Sequence, residues 1–396
     1  MSSHTTRRKF WLLGFYLTYL VIAYVAGFGV YKLWNETNQI NDPKPLSLFW
    51  EAWDLVEQNF YSEIPSPRKR TYGAIHSVLA LLDDPYTVFV EPQPRELERD
   101  RMRGTFGGIG VTLRKDTEDR LRLFPYPDSP AERAGVNKGD ILLAVDADEI
   151  TGMTADAVSA RLHGEVGTHL ILTISRPTSE DPPTPSFDLT IMREEIQVPS
   201  VTWHALDQTP SIGYIHIKSF TERTGDELLK ALQELQDIGT TELILDLRDN
   251  FGGLIDPAVD VTGQFLYSGV ALYEINRDTQ EQATRVQIGG IATETPLIVL
   301  VNGGTASAAE IVAGALQDHE RAVLIGETTF GKASVQLIYE VSDGSSLHVT
   351  SALWLTPNHR RIEGQGLTPD IYVPPGNGQQ LERAVTYLQS QKHQSD

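Results

Sequence analysis

The feature that most constrains this chain is a run of 22 uncharged residues near its start, Phe10 to Tyr31 (FWLLGFYLTYLVIAYVAGFGVY), preceded by Arg7, Arg8 and Lys9. A bilayer core about 30 Å thick takes about 20 apolar residues as a helix, so the run predicts one membrane-spanning helix rather than part of a globular core. Three basic residues before it, against Lys32, Glu36, Asp42 and Lys44 just after it, place the N-terminus in the cytoplasm and all that follows outside. The expectation is a single-pass protein of the cell membrane whose bulk is extracytoplasmic. A cleaved signal is the alternative: Thr6-Arg7-Arg8-Lys9-Phe10 loosely resembles a twin-arginine signal, although no small-x-small site closes the span.

The 396 residues are 40% hydrophobic, enough for a sizeable core and two or three domains. The whole chain carries a net charge of −20, and residues 1–32 carry +4, so the remaining 364 carry −24. Such a surface repels nucleic acid and anionic lipid. The chain has no cysteine, which removes disulfides, zinc–thiolate sites and thiol catalysis together and leaves an oxygen or a lysine as the available nucleophile.

After a polar linker, Asn35 to Lys44, the segment Pro45–Leu82 has helical periodicity, with Phe49, Trp53, Val56 and Phe60 on one stripe and a second helix near Tyr72–Leu82. Pro85 and Pro92 punctuate DDPYTVFVEP, and from Thr105 the texture changes to short strands and glycine turns: FGGIGVTLR, DSPAERAG, GDILLAVDADEI, a helix at Thr154–His163 and the strand HLILTISR. PTSEDPPTPS (Pro177–Ser186) reads as a loop before the strand FDLTIMR. Beyond Ser200, strands at Ile212–Ile217, Leu243–Leu247, Leu297–Val301 and Ala322–Ile325 alternate with helices. One of these helices is opened by the capping box Thr224-x-x-Glu227, one by Asp256-Pro257 and one at Ser307. Alternation of this kind implies an α/β layer fold with crossover connections. The expected divisions are 1–32 for the cytoplasmic stub and anchor, 33–97 for linker and helical region, 98–196 for a β-rich inserted domain, 197–378 for the α/β core and 379–396 for a tail.

NGGTASAAEIVAGAL, Asn302 to Leu316, carries the chemical question. Ser307-Ala-Ala-Glu310 fits a capping box, so the serine is a cap by its local pattern. It also follows a strand and a Gly303-Gly304 turn at a helix N-terminus, where free N–H groups and the helix dipole favour developing negative charge. The N–H of Ala308 is a candidate oxyanion donor, as is that of Gly252 or Gly253 in Arg248-Asp-Asn-Phe-Gly-Gly, which follows another strand at the same end of the sheet. A nucleophilic hydroxyl needs a base. His319 is excluded, because twelve residues along one helix is about 18 Å. Lys332, in TTFGKASVQ after the next strand, lies near the same sheet edge. To act as a base it must be neutral, and lowering its pKa from about 10.4 to about 7 costs roughly 4.6 kcal/mol, within the range burial produces. Gln336 could accept a hydrogen bond from the amine without adding charge. A solvated surface lysine beside a glycine turn is the competing reading.

GGTASAAE, followed by GETTFGKASVQ with the lysine 25 residues after the serine and the glutamine four further on, resembles the C-terminal processing peptidases, also called tail-specific proteases. DDPYTVF, DLRDNFGG and GQGLTPDI extend the resemblance over nearly the whole chain beyond the anchor. The resemblance implies a crotonase/ClpP-like α/β core and cofactor-free, metal-free acyl-enzyme chemistry. It assigns Ser307 as nucleophile, Lys332 as general base and Gln336 as the residue orienting it, with Ala308 and Gly252 or Gly253 forming the oxyanion hole. Ala309, Ala333 and Phe251 stand where serine, glycine and proline are common in that family, and Asn358-His359 lengthens a turn. Ala333 bears on how freely the Lys332 loop moves.

Phe106-Gly107-Gly108-Ile109-Gly110-Val111 and the later helix Thr154–His163 resemble the carboxylate-binding loop, edge strand and groove helix of a PDZ domain. Glycine-turn N–H groups capture a terminal carboxylate and a strand edge pairs with the incoming tail, so Gly107, Gly108, Ile109, Gly110, Val111, Ala157, Val158 and Leu162 are the candidate peptide-binding residues. Core positions are the competing reading for the apolar ones. Expected partners are proteins or peptides with apolar C-termini, the lipid bilayer through the N-terminal helix, and a second copy or a regulatory adaptor, but not nucleic acid. Arg193-Glu194-Glu195 is the candidate hinge of the insert. The reading is a membrane-anchored serine endopeptidase acting near protein C-termini. A catalytically silent tail-binding scaffold and an acyl-thioester enzyme are the alternatives, disfavoured by the intact Ser307, Lys332 and Gln336.

Overall fold

The computed structural model describes residues 43–177, 185–376 and 378–395. The expected membrane helix at 10–31 and the centre of the Pro177–Ser186 loop lie outside the described residues. Among the described residues, no helix is long and apolar enough to cross a membrane.

The chain divides at Gly73. The first unit contains the helix Pro43–Asn59 and the start of the helix Pro67–Leu79, as the 3.6-residue periodicity predicts. The Trp53 indole donates to Glu57 Oε1 at 2.8 Å, Arg70 pairs with the same carboxylate, and Phe49, Val56 and Phe60 of the expected stripe are exposed.

The second unit, from Ala74 onward, is organised by a six-stranded sheet in the order Val201–Leu206, Thr209–Ile217, Glu242–Asp246, Leu297–Val301, Val323–Gly326, Ile371–Tyr372. The first pair is antiparallel and all the rest are parallel. Side chains alternate across a strand, and the central strands present apolar residues to both covered faces, with the buried acids Glu242 and Asp246 at the two ends of their strand. Leu243, Leu245, Leu297, Val299 and Val301 enter one core under the helices Thr224–Asp237, Ile255–Phe265 and Ala308–Asp318. Ile244, Ile298, Leu300 and Ile325 enter a second core under the C-terminal helix Gln379–Ser395, through Ala384 and Leu388. The capping box expected at Thr224 does not form. Glu227 is drawn away to the N–H groups of Ser200 and Val201 at 2.7 and 3.1 Å, and the Thr224 hydroxyl accepts instead from the N–H of Thr221 at 2.8 Å.

A flanking antiparallel sheet joins Val88–Val90, Ser346–Leu355, Val270–Asn276 and Glu281–Arg285, with Ser334–Glu340 on the other edge of Ser346–Leu355. The helix Pro92–Arg103 leads from it to the inserted domain, and its Glu98 and Arg99 pair with His348 and Glu340 of that sheet. The insert has its own sheet and its own core, including Leu123, Leu142, Leu172 and Ile191. It hangs on a two-stranded stem in which Thr105–Gly108 pairs with Glu194–Gln197, and the Val198 N–H closes onto the Gly104 carbonyl at 2.9 Å. The expected boundary at residue 98 falls inside the lead-in helix, whereas 196 falls within the stem.

Candidate active site

Three loops leave the carboxyl ends of adjacent parallel strands: Arg248–Gly253, Asn302–Ser307 and Glu327–Lys332. In open α/β sheets this is where sites form, because loops from neighbouring strands must converge there. They are bound together by short polar contacts. Asn302 Oδ1 accepts from the Asp249 N–H at 2.9 Å, its Nδ2 donates to Asp249 Oδ1 at 2.9 Å, and the Phe330 N–H reaches the Thr305 carbonyl at 2.9 Å. Asn250, fully buried, donates to the Ile217 carbonyl at 2.8 Å and accepts from the Gly252 N–H at 2.9 Å.

Ser307 sits half-buried at the turn from strand to helix with φ +55° and ψ −119°. A positive φ is rare for a residue with a side chain, and a strained strand-to-helix turn is how hydrolase folds expose a nucleophilic hydroxyl. The expected capping box is present, the Ser307 N–H donating to Glu310 Oε2 at 2.9 Å, and the Glu310 N–H also reaches the Ser307 carbonyl at 2.8 Å. Glu310 does more than cap. Its Oε1 accepts from the Thr329 hydroxyl and from the Gly331 N–H at 2.7 Å, and Oε2 accepts from the Lys332 N–H at 2.9 Å. One fully buried carboxylate therefore ties the serine turn to the lysine loop. Burial raises its pKa above the ordinary carboxylate value, and these four donors offset only part of that rise.

Of the candidate oxyanion residues, Gly252 lies against the serine turn. A Cβ added to Gly252 would meet Ser307 Cβ at 2.8 Å and the Ala308 nitrogen at 3.1 Å. The Gly252 N–H is occupied by Asn250, while those of Gly253 and Ala308 have no acceptor among the described residues. Of the two glycines, Gly253 is thus the one whose N–H has no acceptor among the described residues. At φ +141° it pairs with Phe220, whose carbonyl a Cβ there would meet at 2.1 Å, so only glycine fits.

Lys332 is half-buried at the same edge. Burial lowers its pKa, against the opposing charges of Glu363 and Asp84. Its amine lies over the Tyr86 ring, 4.6 Å from the centroid, and among the described residues it makes no hydrogen bond to Ser307. Gln336 is likewise turned aside, its Nε2 donating to Ser334 Oγ at 2.9 Å rather than contacting Lys332. Ala333 is buried and pinned on both sides, its N–H on Glu363 at 2.6 Å and its carbonyl under the Trp354 N–H at 2.8 Å. Sequence reasoning missed Tyr86, Asp84 and Glu363. The available signal for the first two was DDPYTVF, a polar and aromatic motif too dense for a mere stop.

In the insert, the expected glycine loop is shorter than the sequence suggests. Gly107 and Gly108 belong to the stem strand, because a Cβ at Gly107 would strike the Gly164 carbonyl at 2.1 Å and only glycine allows that approach. Gly110, at φ +72°, makes the turn into the strand Val111–Lys115. The far edge of that strand pairs with no other strand among the described residues. The helix Ala155–Leu162 lies alongside it, opened by the expected Thr154 cap on the Ala157 N–H at 3.2 Å. Ile109, Val158 and Leu162 are buried in the domain's core, Val111 is half-buried against it, and Ala157 is exposed.

Residues 211–373 match peptidase family S41, and residues 125–176 match the PDZ domain. The carboxy-terminal-processing protease of Bartonella bacilliformis is 37% identical over 342 residues, covering 85% of this chain and 76% of that protein. The carboxyl-terminal-processing protease of Synechocystis is 34% identical over 388 residues, covering 92% and 88%. A putative S41 protease of Bacteroides fragilis has the same fold with a TM-score of 0.50 at 18% identity, covering 83% of this chain and 92% of that one. The mixed α/β fold, the inserted PDZ domain and these relatives agree: the chain belongs to peptidase family S41, as a carboxyl-terminal-processing serine protease.

Proposed function

We propose that the protease works through a Ser307/Lys332 dyad. The observation that carries this reading is Glu310, which holds the serine turn and the lysine loop on one carboxylate beside the two free N–H groups of Ala308 and Gly253. In the reaction the neutral Lys332 amine takes the Ser307 hydroxyl proton as Oγ attacks the peptide carbonyl carbon, and the oxyanion falls between those N–H groups. The resulting ammonium returns the proton to the departing amine nitrogen, leaving an acyl-serine that water hydrolyses by the same base. Gln336 would orient the amine once both side chains leave their present partners.

The membrane anchor at residues 10–31, with the catalytic part outside the cell membrane, belongs to the same proposal, as does a crotonase/ClpP-like ancestry of the helix-flanked parallel sheet. Substrates are proteins or peptides with apolar C-termini, taken as an added strand by the open edge Val111–Lys115 beside the helix Ala155–Leu162, with the Ile109–Gly110 turn at the carboxylate. Assembly with a second copy or a regulatory adaptor remains part of the reading.

The test is mass spectrometry of an unstructured peptide ending in apolar residues, incubated with the parent protein, Ser307→Ala and Lys332→Ala. The expected result is cleavage by the parent and at least a thousandfold loss in both variants, the scale seen when a member of a catalytic unit is removed. Cleavage that survives in Lys332→Ala would dismiss the dyad. Binding of the peptide without cleavage by any form would favour a tail-binding scaffold.

A further inference from the structure

Tyr86 lies outside the segment that matches the peptidase family, yet its ring is the surface against which the Lys332 amine rests. Its position is fixed. Asp84 accepts from the Tyr86 N–H at 3.0 Å and from the Thr87 hydroxyl at 2.6 Å. The same hydroxyl accepts from the Thr350 N–H at 3.1 Å, tying the turn to the flanking sheet, and the next residues, Val88–Val90, pair with Ser346–His348. The Lys332 backbone is fixed too, by Glu310, so the four-carbon side chain is the movable part. In the described conformation that side chain spends its charge on an aromatic face and none of it on Ser307.

We propose that Tyr86 is a positioning residue that parks the Lys332 ammonium on its ring face, away from Ser307, so that the dyad forms only when the amine leaves the ring. This rests on the Ser/Lys reading above. The physical basis is the ring quadrupole, which attracts a cation and has no comparable hold on a neutral amine. Parking therefore favours the protonated lysine, the form that cannot act as a base. The amine is also faced by the carboxylates of Asp84 and Glu363, which favour the charged form, and by the His348 imidazole of the strand Ser346–Leu355, while Glu310 faces Tyr86 itself. Burial opposes the carboxylates. Tyr86 is only half-buried, so substitutions there leave the core intact.

The test is an NMR titration of the full-length chain in detergent with 13Cε-labelled lysine, the Lys332 signal being identified by its loss in Lys332→Arg. Tyr86→Leu keeps apolar cover over the amine but removes the π face, whereas Tyr86→Phe keeps the face and removes the hydroxyl. The Lys332 midpoint should fall by about one pH unit in Tyr86→Leu, given the usual strength of a desolvated cation–π contact, and stay within about 0.3 unit in Tyr86→Phe. On the acid limb of the pH–rate profile, kcat/KM of Tyr86→Leu should rise about tenfold over the parent, as that shift requires. A midpoint unmoved or raised in Tyr86→Leu overturns the proposal, as does a Tyr86→Phe shift equal to that of Tyr86→Leu. If Lys332→Ala still cleaves, the dyad is wrong, and the titration still decides whether the ring holds the amine.

Discussion

Glu310 concentrates more structural consequence than any other side chain near the serine. Its two oxygens receive four donors from two segments, the serine turn and the lysine loop, and replacing it by glutamine turns one oxygen into a donor facing N–H or O–H groups. A buried donor left without an acceptor costs about 1–3 kcal/mol, so Glu310→Gln should lose at least that much stability in urea unfolding, with a loss of more than tenfold in peptide cleavage. Lys332 makes the opposite kind of contribution. Its pKa is depressed on folding, so the unfolded chain holds more protons between that depressed value and the ordinary value of about 10.4, and stability rises with pH across this interval. Lys332→Met should accordingly be more stable than the parent at pH 7, with the advantage shrinking as pH approaches 10, as parallel urea titrations would reveal. The proposed reactive residues were legible one by one, because a serine after a glycine turn and a lysine after the next strand carry local patterns. Glu310 was legible only as a cap, since its reach to Gly331 and Lys332 depends on how two crossover connections bring distant loops together. Glu363 was illegible for the same reason, and Tyr86 was legible only as part of DDPYTVF, with nothing to say that Lys332 would lie over its ring.

At the scale of elements, the parallel strands do the work of convergence. Their alternating apolar positions fix the register that sends all three loops off one end of the sheet. The strands and helices were readable from periodicity, whereas the stem was not: Gly107 and Gly108 have the composition of a turn and become strand, with Gly164 packed onto Gly107 and the Phe106 ring onto Gly108. Glycine positions separate backbone strain from steric exclusion. Gly135, at φ +97°, has nothing within 4 Å of an added Cβ, so Gly135→Ala should cost only the strain of its conformation, about 1–3 kcal/mol. Gly253→Ala adds a collision with the Phe220 backbone to that same strain. Its urea midpoint should fall well below that of Gly135→Ala, and cleavage should vanish with the displacement of the proposed oxyanion donor.

At the scale of the whole molecule, the PDZ domain is a self-contained insert whose core shares no residue with the cores of the peptidase sheet. Replacing residues 105–197 with a short glycine-serine linker should leave a protein that still unfolds cooperatively by circular dichroism. It should also cleave peptides without preference for apolar C-termini, because the proposed tail-reading edge has gone while Glu98–His348 and Arg99–Glu340 still hold the lead-in helix. A domain replaced at the sequence boundary of 98 instead would cut that helix and sacrifice both contacts.

The stem leaves and rejoins the peptidase at one hydrogen-bonded point, between Gly104 and Val198. A module grafted through a single point is interchangeable: the part proposed to choose a protein and the part that cuts it can drift, duplicate or be traded independently, provided only that the two ends still meet.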